Sequence, residues 1–276
     1  MIKLFRKIRY NLMATEKTGS SADRVSPKAL AEAQASAKAG RYLKYAIGEI
    51  ILVVIGILIA LQINNWNEQR KQNQQETNYY GKIKEDIELD IYNIEQSIYS
   101  LEERSEATRR LLVNLLSIQD DKSVILADYL SAVRSISFIP SKSAILDITS
   151  SGKLEILKNK KIKNAVLQYY AYQDYGVNTI EDNRDKLDDK IFNYNDFTDF
   201  GIQEIPMYRE SYGTDLQALM QSSEWQKDPN HKLFRHLKDH MNMTIIICQR
   251  EKQFLMNIKD RANQLIEEID TTLNSN

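Results

Sequence analysis

Cysteine, glycine and proline are scarce in this chain of 276 residues, which contains one Cys, nine Gly and four Pro. A single cysteine excludes a disulfide framework, a cysteine-based zinc site and a CxxC redox motif. The glycines and prolines are too few for the turns of a many-stranded sandwich or barrel. The formal net charge is only −1, and this balance argues against a dedicated nucleic-acid binder.

The charges are distributed unevenly along the chain. Residues 1–44 contain ten Lys or Arg and three acids, which gives a net charge of +7. From Asn64 onward there are 27 basic and 34 acidic side chains, which gives −7, and Glu49 supplies the remaining −1. The most apolar segment of the chain separates the basic part from the acidic part.

This apolar segment is predicted to be a transmembrane helix. Residues 46–63 would measure about 27 Å as a helix, which nearly matches a hydrocarbon core of about 30 Å. Tyr42 and Tyr45 flank one end and Trp66 the other, where amphipathic rings favour the headgroup layer. The alternative is a buried helix of a soluble protein, which is seldom apolar on all sides. The anchor residues are taken to be Ala46, Ile50, Gly56, Ala60, Ile63 and Trp66.

The charge asymmetry predicts the orientation of this helix. Because basic residues favour the cytoplasmic side, residues 1–44 are expected in the cytoplasm, residues 45–66 in the membrane and residues 67–276 outside it. A cleaved signal peptide fits less well, since its leader would be about twice the usual length. Residues 1–13 have the pattern of a helix lying on an anionic inner leaflet. The same composition could serve as a mitochondrial presequence, which is the alternative location.

Two stretches carry a resemblance to a known family. MIKLFRKIRYNLM and RYLKYAIGEIILVVIGILIALQINNWNE resemble the N-terminus of an uncharacterised family of single-pass membrane proteins from bacteria with two-membrane envelopes. SSGKLEILKNKKIKNAVLQYY, residues 150–170, is similar to a second pattern in that family. The resemblance implies a single-pass protein of the bacterial inner membrane with a periplasmic domain, and it assigns no activity.

The Ala-rich residues 18–40 depart from the family pattern, which has a short link there. They are interpreted as a spacer that forms a short helix, with Ser26 as N-cap, Pro27 at its first position and Gly40 just past its end.

Three long helical stripes predict an all-α fold, in which the N-terminal transmembrane helix is followed by an extracytoplasmic antiparallel bundle of long helices. The polar residues after Trp66 are read as a continuation of the membrane helix. The first stripe comprises Tyr80, Ile83, Ile87, Ile91, Ile94, Ile98, Leu101, Leu112 and Leu115. The second, over about 160–194, comprises Ile162, Val166, Tyr169, Gln173, Gly176, Ile180, Leu187 and Ile191. The third, from about 231, comprises Leu237, Met241, Thr244, Cys248, Leu255, Ile258, Ala262, Leu265 and Ile269.

Shorter elements are predicted between these stripes. Helices are expected over residues 124–134, 141–151 and 214–226, the second of them closed by Gly152. Residues 192–212 mix aromatic and acidic side chains with Gly201 and Pro206, so they are expected to form an irregular loop, and such loops are often functional.

Few residues suggest a metal or catalytic site. His236 and His240 are four residues apart, so on one helix they could share a metal, although imidazoles at such a polar–apolar boundary are ordinary. Ser150 to Lys153 match S-x-x-K, but Gly152 reads better as a helix stop than as part of a catalytic turn. Asp196, Asp199 and Glu204 lack an identifiable acid–base or metal partner. We therefore expect no catalytic residues, no metal and no cofactor.

Other residues suggest contacts with membrane or protein. Glu49 at the start of the span favours a boundary role. Gly56 and Ala60 form a small-xxx-small pair compatible with helix dimerisation. Tyr169, Tyr170, Tyr172 and Tyr175 favour bundle contacts with solvent-facing hydroxyls over stacking of a sugar or peptide.

The sequence thus favours a non-enzymatic membrane-anchored protein that acts through an envelope protein partner or self-association. The alternative is an extracytoplasmic ligand-sensing bundle with a separate output partner, because 44 cytoplasmic residues cannot hold a kinase or cyclase. An enzyme using the acidic loop ranks last.

Overall fold

A computed structural model of the chain describes the backbone of residues 27–134, 137–193 and 196–275, and the side chains of residues 42–134, 137–191, 193 and 196–274. The amphipathic helix predicted over residues 1–13 and the N-cap predicted at Ser26 lie outside these residues. The described part consists of helices joined by turns and loops and contains no strand. The all-α prediction is therefore confirmed.

Seven α-helices and three short 3₁₀ turns make up the described part. The helices are α1 (Pro27–Leu116), α2 (Lys122–Val133), α3 (Ser143–Ser150), α4 (Lys160–Phe192), α5 (Phe197–Phe200), α6 (Pro206–Leu219) and α7 (Lys232–Ser275). The 3₁₀ turns are Leu154–Ile156, Ile202–Glu204 and Trp225–Lys227. By its backbone contacts the chain divides into two units, residues 1–69 and residues 70–276.

The first unit consists, where described, of the first part of α1. Pro27 begins the helix, as predicted, but the predicted end at Gly40 is wrong because the helix continues through it. A glycine inside a helix costs only about 1 kcal/mol relative to alanine, and no proline follows to stop the chain. Among the described helices, α1 alone is long and apolar enough to cross a membrane, and none of its most apolar 18 residues is buried by protein.

The second unit is built on three long helices whose directions follow from ion pairs and hydrogen bonds. Lys84 contacts Asp270 at 2.7 Å, Glu95 contacts Lys259 at 2.6 Å and Glu102 contacts Lys252 at 2.6 Å. The numbers rise along α1 while they fall along α7, so these two helices are antiparallel.

Helix α4 runs parallel to α1 and antiparallel to α7. Near its start the backbone N–H of Asn159 donates to Glu76 on α1, and further along Tyr169 donates to Asp90. On its other side Lys161 lies 3.3 Å from Glu268 of α7. Helices α1 and α4 run parallel because the segment between them, which contains α2 and α3, returns the chain to the end of the bundle near residue 70 before α4 begins.

The three predicted stripes form the core of this unit. All nine residues of the third stripe are buried, and those of the first and second stripes are buried or half-buried. Most of them belong to two apolar clusters. One contains Ile83, Ile87, Ile162, Val166, Cys248 and Ile258, and the other contains Leu111, Leu115, Ile125, Trp225, Leu237 and Met241.

The elements between the long helices correct two predictions. Residues 196–212, expected to be irregular, form α5, a 3₁₀ turn and the first half of α6, with Gly201 at φ 99° in the turn between the first two. Gly213 is non-helical at φ 67° and ψ 167° and divides α6, so the second half of α6 begins where the helix expected over residues 214–226 was to begin. This half ends at Leu219, earlier than expected, and Trp225 begins a separate 3₁₀ turn. The 3₁₀ turn carries Trp225 into the core, where its indole stacks on Phe200 with ring centroids 5.2 Å apart. Burial of this large ring outweighs the local preference for a longer helix.

Candidate functional site

The predicted histidine pair lies in two different environments. Both lie on α7, but His236 is exposed, whereas His240 is buried in the core of the bundle. Burial lowers the pKa of His240 to about 4, and the nearby positive charges of Arg104 and Lys190 act in the same direction. No group of three or more His, Cys, Asp or Glu side chains in the described residues could hold a metal ion. The structure therefore brings no third ligand to this pair.

The three carboxylates of the acidic segment hold the end of the bundle together. Glu204 lies 3.7 Å from Lys122 of α2, and Asp199 accepts the backbone N–H of Ser223 at 2.8 Å. Asp196 forms an ion pair with Lys232 at the start of α7. Each carboxylate thus links the acidic segment to another part of the chain, so its position has a structural explanation.

The S-x-x-K residues also have a structural position. Helix α3 ends at Ser150, and Gly152 follows in the left-handed region at φ 67°. The N–H groups of Gly152 and Lys153 bond the carbonyls of Thr149 and Ile148, which closes the helix as expected of a glycine stop.

The hydroxyl of Tyr169, which was expected to face solvent, takes part in a buried hydrogen-bond network around the carboxylate of Asp90. Asp90 of α1 has no exposed surface, and it accepts hydrogen bonds from the Tyr169 hydroxyl at 2.9 Å, from the Gln173 amide and from the Ser141 N–H at 2.6 Å. Burial raises the pKa of Asp90, and these three donors partly offset the effect. The expectation of solvent-facing hydroxyls is therefore wrong for Tyr169. The prediction of bundle contacts holds for this residue, because its hydroxyl joins α4 to α1.

A second set of buried polar groups is contributed by three helices. This polar layer consists of Arg104 on α1, Asn183 on α4, and His240 and Glu251 on α7, each less than one-tenth exposed. The Arg104 Nε donates to the carbonyl of Ala132 at 2.9 Å. Burial raises the pKa of Glu251, although the positive charges of Arg184 and Arg104 lower it. The polar layer therefore consists of buried charged and amide groups from all three long helices, and the charge of Arg104 acts on both His240 and Glu251.

One groove in the described part of the protein lies beside the first turns of the second unit. It has a volume of about 840 Å³ and lies between α1 and the turn before α4. Its walls are Gln75, Thr77, Asn78, Tyr79, Gly81, Lys82 and Glu85 from α1, with Lys153 and Ile156 from the turn. This volume lies within the range of about 300–1,000 Å³ that is usual for ligand sites. Lys82 was not singled out from the sequence, and Lys153 was considered only as the lysine of the S-x-x-K match, because the sequence gives no reason to bring residues some 70 positions apart together.

The side of α1 that forms this groove continues as an exposed helix face. Its residues recur at helical spacing of three and four, and each is exposed. The outer face of α1 is defined as Asn78, Lys82, Glu85, Leu89, Tyr92, Gln96 and Tyr99. Leu89, Tyr92 and Tyr99 are 50, 58 and 60% exposed. The same spacing that buries Ile83, Ile87 and Ile94 on one side therefore repeats on the solvent side.

Three helical glycines in the described chain can be compared by the space around them. At Gly176 an added Cβ would lie only 2.9 Å from the Cδ1 of Ile258, so close packing of α4 on α7 explains this residue. At Gly81 and Gly56 an added Cβ would meet nothing within 4 Å. Packing within the chain therefore explains the glycine at 176 but not those at 81 and 56.

The comparisons with known proteins identify one family. The model of a family of unknown function (DUF6090) matches residues 49–198. No curated protein and no solved structure matches the chain. The match supports the expected membership of an uncharacterised family, whereas the bacterial and single-pass character stays a prediction. It includes every residue of the groove and of the outer face, and it begins after the Ala-rich residues 18–40.

Proposed function

The chain belongs to this family of unknown function, and since membership assigns no activity, we propose a function from the geometry: it is a single-pass protein of the bacterial inner membrane whose periplasmic helical bundle binds another envelope protein. The N-terminus lies in the cytoplasm in this proposal, and residues 67–276 lie in the periplasm. The basic tail of residues 1–44 supports this orientation.

The exposure of the apolar part of α1 supports the membrane anchor. Ile50, Val53 and Leu58 are each at least 57% exposed, and a run of such side chains has no favourable place in water. In hydrocarbon the same residues are solvated by lipid, and the helix satisfies its own backbone hydrogen bonds.

The observation that carries the binding proposal is the outer face of α1. Leu89, Tyr92 and Tyr99 lie on one side of the helix and remain at least half exposed, while the core seam lies on the other side. Tyrosine is enriched at protein interfaces, because its ring buries apolar area and its hydroxyl still finds a hydrogen-bond partner. A partner that covers this face would bury three large side chains at once.

Cysteine labelling tests the orientation. The native Cys248 is buried and burial raises the pKa of its thiol to about 11, so it is expected to stay unreactive, and Cys248→Ala removes it from the background. Asn178→Cys on the exposed side of α4 should react with a membrane-impermeant maleimide in intact spheroplasts. Ser20→Cys in the tail should react only after permeabilisation. The reverse pattern, or extraction of the protein by alkaline carbonate, would contradict the anchor.

Site-specific crosslinking tests the binding face. A photo-reactive residue at Tyr92 should give one discrete adduct in intact membranes, and the same residue at Asn178, exposed on α4, serves as the matched control. Equal adducts at both positions, or none at Tyr92, would contradict the proposal. Stabilisation of the chain by a small metabolite without any adduct would favour the ligand-sensing alternative.

A further inference from the structure

The groove beside Gly81 offers both positive charge and room for another chain. Lys82 is exposed at one wall, where its ammonium group lies 4.0 Å from the carboxylate of Asp147 in an exposed ion pair, and Lys153 is exposed at the other wall. Glu85 is the one acid among the described residues that line the space. The turn that supplies Lys153 continues into a lysine-rich segment, in which Lys158 and Lys160 are also exposed. Within the described residues no carboxylate lies within 4 Å of the ammonium groups of Lys153, Lys158 or Lys160.

Two lysines of this segment are paired within the chain, since Lys161 lies 3.3 Å from Glu268 and Lys163 lies 3.2 Å from Glu155. Lys160, Lys161 and Lys163 fall in the first turns of α4, where the helix dipole favours acidic side chains, and the first turn contains none. The backbone N–H groups there are already bonded, since Asn159 accepts those of Lys161 and Ile162. Glu76 accepts those of Lys158 and Asn159. The backbone of the helix start is thus bonded, Lys158 donates to the side-chain carbonyl of Asn73 at 3.1 Å, and the charges of Lys153, Lys158 and Lys160 have no carboxylate beside them in the described residues.

Gly81 is a second and independent observation. A glycine inside a helix costs about 1 kcal/mol relative to alanine. Apart from its own stretch of helix backbone, no described part of the chain lies within 4 Å of the position that its Cβ would occupy, and Gly81 lines the groove. A glycine without a steric reason in its own chain is explained when another backbone approaches the helix there.

From these observations we infer that the groove binds an acidic segment of the partner protein, whose backbone passes over Gly81 and whose carboxylates pair with Lys82 and Lys153. Gln75 and Asn78 line the same wall and supply amide groups for the peptide bonds of that segment. From Gln75 to Glu85 the groove follows about 15 Å of helix, which matches four or five residues of extended chain. The inference rests on the proposed function, because it names the chemistry of the partner that also covers the outer face.

Peptide binding to the full chain in phosphatidylcholine nanodiscs tests this inference. The probe is a fluorescent octapeptide of alternating Glu and Leu, and the control peptide alternates Lys and Leu. We expect saturable binding of the acidic peptide only, weakened at high salt. The double variant Lys82→Gln/Lys153→Gln should bind about tenfold more weakly. Lys186→Gln/Lys238→Gln, which removes the same charge elsewhere, should bind as the wild type does.

A substitution at Gly81 distinguishes a blocked groove from an unfolded protein. Gly81→Leu should abolish peptide binding by filling the groove, while its melting temperature stays equal to or above that of the wild type, because leucine favours the helix. Wild-type affinity in Gly81→Leu, or equal binding of both peptides, would overturn the inference. It would also be overturned if phosphatidylglycerol vesicles, and not the peptide, bound in a lysine-dependent way. Failure of the proposed function would appear separately, as wrong cysteine labelling or no adduct at Tyr92, with peptide binding unchanged.

Discussion

His240 is expected to make the stability of the bundle depend on pH. Its pKa falls from 6.5 to about 4 in the fold, so the buried imidazole is neutral where the unfolded chain would take up a proton. The stabilising contribution is therefore complete above pH 6.5 and is lost as the pH falls from 6.5 towards 4. The charged groups that face His240 are Arg104 on α1 and Lys190 on α4, and both disfavour the imidazolium.

The size of this effect follows from the shift. A pKa lowered from 6.5 to about 4, at about 1.4 kcal/mol per pH unit, corresponds to about 3.5 kcal/mol over the whole range, of which about 3 kcal/mol is lost by pH 4. Asp90 and Glu251 act in the opposite direction, because burial raises the pKa of each and their protonation at low pH favours the fold. The contribution of His240 must therefore be measured as a difference between two proteins that share both acids.

The assay compares the wild type with His240→Gln by urea unfolding in neutral nanodiscs. Fluorescence of the buried Trp225 reports unfolding, and Trp66→Phe in both proteins removes the second indole. The stability difference between the two should shrink by about 3 kcal/mol as the pH falls from 7 to 4. A difference that stays constant across this range would refute the reasoning, since it would mean that His240 takes up its proton in the fold as easily as in the unfolded chain.

Three further perturbations follow from the same structure. Gly176→Leu should lower the free energy of unfolding by about 1–3 kcal/mol, because its side chain would collide with Ile258, and an unchanged urea midpoint would contradict the packing. Asp90→Ala should cost about 3 kcal/mol by leaving the buried Tyr169 hydroxyl and its neighbours without their acceptor, with the near-UV circular dichroism of the tyrosines as a second readout. Gly56→Leu should reduce self-association in a membrane two-hybrid assay, and a signal equal to the wild type would argue that Gly56 is not a dimer contact.

The long helices were predictable from the sequence because their stripes are strong and local. Residues such as Ile83, Val166 and Ile258 recur at helical spacing, and each is buried where the stripe places it. The stripes do not show whether two helices run parallel or antiparallel to each other. The parallel course of α1 and α4 depends on how residues between them return, and short elements such as the turn at Trp225 are set by tertiary packing.

The candidate site was less accessible to sequence reasoning. Lys82 and Lys153 are ordinary charged residues until the fold brings them to opposite walls of one groove. Gly81 carried a local signal, a glycine inside a strong helical stripe, but the space beside it is a property of the three-dimensional structure. The burial of Asp90 was likewise not predicted from the sequence, because its partners are distant along the chain: Ser141 precedes α3 and Tyr169 lies on α4.

The antiparallel course of α1 and α7 has a mechanical consequence. Residue 70 and Ser275 mark the same end of the bundle, since Lys84 pairs with Asp270 there. A force pulling these two points apart would load that pair first, then Glu95 with Lys259, then Glu102 with Lys252. The contacts between the two helices would therefore break one after another from that end, and not all at once.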